Sequence, residues 1–306
     1  MDEFLICDED NLRLDVFLSR EEDSYTRSFL SGIISDGKVT VNGKVVTKSG
    51  YKLSKGDEVG YEIPEPVSTD IKPVDIPLDI VYEDDDLIII NKPQGMVVHP
   101  ACGHYDDTLV NALLFHCKDN LSDINGVLRP GIVHRIDKDT SGLMVAVKNN
   151  ETHVKMAEMI AAHDIKRQYR ALVYGVISNE EGTIDAPVGR SGGDRRKMSV
   201  IEGGKPSVTH FTVVNRYTEA TDLSLLLETG RTHQIRAHMT FIGHPVLGDP
   251  LYAPRRKDFG LTGQCLHSKS IEFVHPRTGR LISFDSELPD YYKNVLSQLS
   301  LLYNDK

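Results

Sequence analysis

Cysteine is scarce in this chain: Cys7, Cys102, Cys117 and Cys265 are the only four, scattered over 306 residues. None forms a CxxC pair, which argues against a zinc ribbon or a thiol redox motif, and the scatter argues against a disulfide framework. Long apolar runs are missing as well. No stretch approaches the roughly 20 residues needed to cross a bilayer. The opening MDEFLICDED is acidic, whereas a secretory signal starts basic and turns apolar. The expected compartment is therefore the cytoplasm, with no membrane partner. There is no nucleotide-binding glycine motif, and no HExxH metal motif, because His233 and His238 are five apart rather than four. Internal repeats and low-complexity tracts are absent.

Net positive charge is absent too. The formal balance is −10, which excludes an indiscriminate nucleic-acid binder, since such proteins are usually basic overall. The distribution says more than the sum. Residues 38–55, KVTVNGKVVTKSGYKLSK, carry five lysines and no acid, and KRQYR (166–170), RSGGDRRK (190–197) and RRK (255–257) are further basic knots. A charge run is usually just a solvated face. Several such runs on an acidic body can neutralise phosphates locally while discouraging non-specific adhesion.

The apolar fraction of 40% and charged fraction of 26% are those of a globular protein long enough for a small domain and a large one. Helical spacing of Leu14, Phe17 and Leu18 predicts a helix over 12–18, and Phe29, Leu30, Ile33 and Ile34 predict a second over 25–35. VTVNGKVV reads as a hairpin turned at Asn42-Gly43, followed by a strand at EVGYEI. Residues 1–63 thus form an ααβ-type unit. Prolines 64, 66, 73 and 77 mark 64–77 as a linker. From 78 to 306 the chain reads as one α+β domain. Helices are expected at 108–117, 151–163 and 231–243 and at the C-terminus. Long strand-to-strand runs predict a mixed, largely antiparallel sheet flanked by these helices.

Four segments carry candidate chemistry. GIVHRIDKDTSGLMVAVKN (131–149) places Arg135, Asp137, Lys138 and Asp139 in a polar loop before a buried strand, with Thr140 and Ser141 able to hold the loop. By spacing alone, ordinary turn contacts are the better reading of the two aspartates. ETGRTHQIRAHMTFIGHPVLGDPLY (228–252) sets Arg231 and Arg236 on the first turns of a helix. A spacing of five does not put them on one face, so one can meet a carboxylate while the other faces phosphate or the protein. KRQYRALVYG (166–175) puts Tyr169 at the head of a strand between arginines, as a base-stacking group or simply a packed core tyrosine. INKPQGMVVHP (90–100), with Lys92, turns the chain sharply after a buried strand, and a structural role suits most of it.

Together these segments resemble the RluA-type pseudouridine synthases. HRIDKDTSG is similar to that family's HRLDxxTSG signature, with Ile136 in place of the usual leucine. NKPxGxxvHP, KxYxAlVyG and GRTHQIRxHMxxxGHPxxGDxxY occur in the family's order, and RRKMSVIEGGKPSVTHF (195–211) resembles its linking segment. RLDVFLS, the helix around Arg27 and DGKVTVNGKVV resemble the RNA-binding module of ribosomal small-subunit protein four. That combination is typical of the RluC and RluD branch.

The resemblance implies isomerisation of uridine to pseudouridine in structured RNA, without metal or cofactor. Asp137 would be the essential aspartate, as nucleophile or as stabiliser of a transient sugar species. Tyr169 would stack on the base and help move the carbon-5 proton, Arg236 would pair with Asp137, and Arg135 would help extrude the uridine. His134, Arg231, Thr140, Lys92, Arg195 and Arg196 are expected at the substrate. In the module, Arg13, Arg27, Lys38, Asn42 and Lys44 are expected at RNA. Its first 70 residues nevertheless hold 15 acids against 8 bases. Large-subunit ribosomal RNA, in a pre-ribosomal particle or free, is the expected substrate, and tRNA the alternative. Two other readings compete. One is a non-catalytic RNA-binding or ribosome-assembly factor, against which the intact HRID motif counts. The other is a glycoside hydrolase using Asp137 and Asp139, whose adjacent alternating positions do not aim at one bond.

Overall fold

The computed structural model describes residues 4–22, 27–62, 71–101, 103–118, 120–123 and 130–304. The chain divides into two compact units, Met1–Thr69 and Asp70–Lys306.

The first unit contains β1 (Phe4–Ile6), β2 (Leu12–Arg13), α1 (Leu14–Glu21), α2 (Arg27–Ser35), β3 (Val39–Val41), β4 (Lys44–Val45), β5 (Lys52–Leu53) and β6 (Glu58–Tyr61). The strand order β1-β6-β3-β4 makes an antiparallel sheet, and β2 pairs with β5 beside it. Leu12 and Arg13 therefore belong to a strand, and the first helix starts two residues later than the apolar spacing predicts. Of the second predicted helix, residues 25 and 26 lie outside the described residues. Leu14, Phe17 and Leu18 meet Leu30, Ile33, Ile34, Val39 and Val59 in one core, so each helix buries its apolar stripe against the other and the sheet. The hairpin turns where expected. Asn42 and Gly43 have φ of 50° and 73°, left-handed values that Asn and Gly adopt at least cost.

The second unit runs β7 (Ile80–Glu83), β8 (Leu87–Lys92), α3 (Leu109–Cys117), β9 (Ser141–Val147), α4 (Asn150–Ala161), β10 (Lys166–Tyr174), β11 (Glu181–Asp185), β12 (Val188–Arg190), β13 (Met198–Val200), β14 (Val208–Arg216), β15 (Ala220–Leu227), α5 (Gln234–Phe241), β16 (Leu266–Val274), β17 (Leu281–Asp285) and α6 (Asp290–Asn304). Among the described residues the large sheet has the order β11-β14-β15-β10-β16-β9-β8-β7, with β17 also paired to β16. Every pairing is antiparallel except β9 with β16. The hairpin β12–β13 and strand β11 lie where no strand was expected from sequence, in a glycine- and charge-rich stretch without clear alternation. Residues 71–77, predicted as the end of a linker, run along this unit. Val74 N–H donates to the Asn111 carbonyl at 3.1 Å, and Asn111 Nδ2 donates to the Lys72 carbonyl at 2.8 Å.

Both faces of the sheet are covered. Ile88, Ile90, Met144 and Ala146 face a core shared with α3 and α5, while Leu87, Ile89, Leu143 and Val145 face one covered by α4. This explains why β9 is buried at all seven positions and reads as a continuous apolar run rather than an alternation. The parallel contact needs a close approach. Gly142 has φ 109°, and a Cβ there would lie 2.2 Å from the Ser268 carbonyl oxygen. Only glycine fits. Beside it, His267 Nδ1 lies 2.8 Å from Ser141 Oγ and its Nε2 2.9 Å from Ser286 Oγ, linking β9, β16 and the segment after β17.

Burial, with Lys269 nearby, brings the His267 imidazole down to about 4. The unfolded chain, with an ordinary histidine near 6.5, binds the extra proton first. The stability conferred by neutral His267 is therefore complete above about pH 6.5 and falls as pH drops towards about 4, by roughly 3 kcal/mol in all. Urea midpoints measured across this range should decline, and His267→Gln should flatten the decline. A slope unaltered by the substitution would count against this assignment.

Candidate active site

The loop 131–140 leads into β9, and its shape is set through backbone groups. Thr140 N–H closes a turn onto the Asp137 carbonyl at 3.1 Å, and Gln264 Nε2 donates to Thr140 Oγ1 at 3.1 Å. Ile136 points into the core. From the opposite side the NKPQG turn after β8 braces the same loop. Lys92 Nζ donates to the carbonyls of Pro93, Met96 and Lys138 at 2.8, 2.9 and 3.0 Å. Gly95 N–H donates to the Lys138 carbonyl at 2.9 Å and Gln94 Nε2 to the Asp139 carbonyl at 3.0 Å. Lys92, expected at the substrate, is instead wholly buried, and its three donors are used on main chain. Two separate sequence motifs thus meet to fix one turn.

That turn presents Asp137, half-buried, to Arg236 in the first turns of α5. Arg236 Nη1 donates to Asp137 Oδ2 at 2.9 Å. The rest of the guanidinium is held by Asp249, with Nε to Oδ2 at 2.7 Å and Nη2 to Oδ1 at 3.0 Å. Asp249 is fixed in turn by the backbone N–H groups of Leu251 and Tyr252 at 2.9 and 3.0 Å. The Tyr252 ring lies against the guanidinium, 4.9 Å from ring centre to Cζ. Burial opposes a charge on Arg236, but hydrogen bonds and attraction from Asp249, reinforced by Asp137, raise its pKa above the usual value. His233 Nε2 stands 3.8 Å from Asp137 Oδ1, beyond hydrogen-bond reach, and burial lowers its pKa. Asp137 therefore has one oxygen tied to Arg236 and one facing the cleft.

The cleft is open to solvent. Asp137, Tyr169, Arg236, Arg135, Thr140 and Arg231 all line it, joined by Arg167. Burial pushes the Tyr169 phenol up, opposed by Arg167 and Ser268, so the ring enters as a neutral phenol at ordinary pH. Arg231 is not helical: α5 begins only at Gln234, because His233 adopts a left-handed φ of 53°. Arg231 Nε reaches the Pro206 carbonyl at 3.2 Å, separated from Arg236 by this turn rather than by helical angle.

Other expected residues stand elsewhere. His134 lines an adjoining hollow, with Nε2 accepting the Val145 N–H at 3.0 Å; burial, with Arg167 nearby, holds it near 3. Arg195 and Arg196 lie in the loop between β12 and β13 and do not line the cleft; Arg196 pairs with Asp194 at 2.9 Å. In the first unit, Arg13 is paired with Asp15 and Lys38 with Glu62. Asn42 holds the hairpin to Asp57 and to the Glu58 N–H, and Lys44 is exposed. The Arg27 side chain lies outside the described residues.

Sequence reasoning gave no role to Asp249, Tyr252 or Arg167, although GDPLY and KRQYR both stood in the quoted segments. One metal-like triad occurs among the described residues: Asp84, Asp86 and His275. It is already engaged by Tyr82, Asn149 and Arg277 and does not line the cleft.

A mixed sheet whose loops offer an arginine-oriented aspartate to a cleft rimmed by further arginines is the construction of an enzyme acting on an anionic substrate. The fold resembles that of a solved structure titled Human RNA Pseudouridylate Synthase Domain Containing 1. The TM-score is 0.57 at 22% identity, covering 77% of this chain and 97% of that one. The profile of the RNA pseudouridylate synthase family matches residues 86–241, and that of the S4 domain matches 12–59. Relatives include the uncharacterised RNA pseudouridine synthase YlyB of Bacillus subtilis, 48% identical over 94% of each chain. Also similar is ribosomal large subunit pseudouridine synthase D of Zymomonas mobilis, 45% identical over 94% of each chain. The protein of that name from Pseudomonas aeruginosa is 42% identical over 96% of this chain and 93% of its own. The chain belongs to the RNA pseudouridine synthase family, and its activity is an isomerisation.

Asp249→Ala should leave Arg236 buried with half its partners, costing about 3–5 kcal/mol of stability. Asp249→Asn keeps the shape but loses the charge. In single-turnover assays of pseudouridine formation it should slow the reaction by about 10²-fold. Asn at wild-type rate would show that the buried carboxylate does not position Arg236.

Proposed function

We propose that this enzyme converts uridine to pseudouridine in large-subunit ribosomal RNA, with Asp137 as the acting carboxylate and Tyr169 and Arg236 as its partners. The observation that carries this reading is the Asp137–Arg236–Asp249 chain opening beside Tyr169 into an arginine-rimmed cleft. The choice of RNA rests on relatives named as large-subunit synthases at 45% and 42% identity. A cytoplasmic site of action, on free or assembling ribosomal RNA, follows from that substrate.

In this reading the bond from ribose C1′ to N1 breaks, with its electron pair going to the base. Uracil turns in place and C5 bonds to C1′. The proton on C5 is lost and N1 gains one, so no electrons or groups are exchanged with a cofactor. Asp137 Oδ1, unbonded and facing the cleft, is the oxygen available to attack or to stabilise the electron-poor sugar. Arg236 fixes the other oxygen, so the carboxylate does not have to reorganise. The Tyr169 ring stacks on the base, with its hydroxyl neutral because burial holds the proton on. The target atoms are hidden in stacked RNA, so the uridine must be flipped out at a cost of a few kcal/mol. Arg135, exposed at the cleft rim, is placed to offset that cost.

Purified enzyme incubated with unmodified large-subunit rRNA and with unmodified tRNA, followed by carbodiimide-dependent reverse-transcription stops, tests this directly. New stops in the rRNA alone are expected, and none with Asp137→Asn, which should still bind RNA. Stops in tRNA alone would move the substrate. Stops that survive Asp137→Asn would remove the aspartate from its role.

A further inference from the structure

Arg167 has no place in the chemistry above, and its surroundings are unusual. It precedes Tyr169 by two positions on β10, so both side chains face the same way. It is only 5% exposed. Its Nε is sealed from solvent without a hydrogen-bond partner, and among the described residues no carboxylate pairs with it. A buried guanidinium without a counter-charge, and with one donor sealed and unmatched, is costly, and proteins seldom keep one that binds nothing. Gly230 packs directly on it: a Cβ there would lie 2.9 Å from Arg167 Nη1.

Arg167 is also the wall between two hollows. One is the Asp137 cleft. The other, of about 1080 Å³ including its open mouth, lies between α4 and the 133–135 loop. Arg135, Arg167, Gly230 and Arg231 line both. The second hollow adds His134 and His163 and contains no aspartate or glutamate. His134 cannot supply the missing partner, because its Nδ1 is the protonated nitrogen: Nε2 accepts the Val145 N–H. Among the residues lining the second hollow the formally charged side chains are thus all arginines, so the counter-charge that Arg167 lacks there is that of an anion.

We propose that Arg167, assisted by Arg135 and Arg231, binds a phosphodiester of the RNA strand that flanks the uridine held at Asp137. This rests on the uridine-flipping reading for which phosphate it is, though not for whether an anion binds. An RNA strand fits better than a free small anion, since the hollow opens directly into the nucleotide cleft and shares its arginines. A flipped nucleotide carries its phosphates just outside the pocket that takes its base and sugar. Arg167 is then a fork pre-set on a rigid strand, its charge left unpaired in the free enzyme so that it remains available.

The test uses the full chain carrying Asp137→Asn, so bound RNA is not converted, with and without Arg167→Met. Binding of unmodified large-subunit rRNA is measured across a salt series. Loss of one phosphate contact should weaken binding about tenfold or more and reduce the slope of log K against log salt by about 0.7–0.9. Without RNA, Arg167→Met should melt at a higher temperature than its parent, because an unpaired buried charge has gone. Inorganic phosphate should raise the melting temperature of the parent but not of the variant. An unchanged salt slope, or equal phosphate stabilisation of both proteins, would overturn the site, as would a lower melting temperature with RNA affinity intact. Should Arg167→Met not fold, Arg167→Lys keeps the charge and loses the fork; unchanged affinity for both RNA and phosphate would then reject the proposal. An Arg167-dependent slope, together with no pseudouridine formed in any RNA by the enzyme that keeps Asp137, would leave the phosphate site standing and reject the uridine chemistry.

Discussion

Arg236 lies between two carboxylates, and the catalytic half of the molecule is arranged around that fact. Asp249 takes two of its donors in a fully enclosed, bidentate pair, while Asp137 takes a third at the cleft wall. Removing such a guanidinium from water costs several kcal/mol, recovered only where geometry is close and further hydrogen bonds hold its partners. The structure meets that condition through the Leu251 and Tyr252 amides on Asp249 and the Tyr252 ring on the guanidinium face. The arginine is immobile as a result, and the one carboxylate left partly open to the cleft is Asp137.

Holding Asp137 steady from its other side is a task for main chain. The loop that carries it has no hydrogen-bonded ladder of its own. Its carbonyls are taken up by Lys92, Gly95 and Gln94 from the turn after β8, and its exit is locked where Gly142 lets β9 lie against β16. Two strand ends and one helix start thus converge on a few ångströms of backbone. Functional groups are best placed on such rigid supports, while adaptable contacts stay at the rim. Arg135 and Arg231, both exposed, are of the second kind.

Charge is organised on the same logic. A chain of net −10 is repelled by RNA at long range, so binding depends on where its cations are free. Arg13, Lys38 and Arg196 are each matched by a neighbouring acid. The arginines of the cleft are not so matched, apart from Arg236. Cationic sequence knots therefore overstate the available charge, and the surroundings of each residue determine how much remains.

Much of this protein was legible in its sequence. Helical spacing, the Asn42-Gly43 turn and the long apolar strands placed most elements, because these patterns follow from local backbone geometry and from which face is buried. The three segments containing Asp137, Tyr169 and Arg236 could also be read, since motif order reports a shared scaffold. Folding decided the rest. Lys92 became a brace, because whether a lysine reaches solvent or three carbonyls depends on what packs over it. Arg231 left its expected helix, because His233 turned left-handed. Asp249, 13 residues from Arg236, could not be paired with it from spacing, and Arg167 could not be recognised as unpaired. A sequence lists which groups can carry charge or donate a hydrogen bond. Only the tertiary structure sets which are buried together and which remain without a partner, because the cost of desolvating a group depends on its neighbours in space.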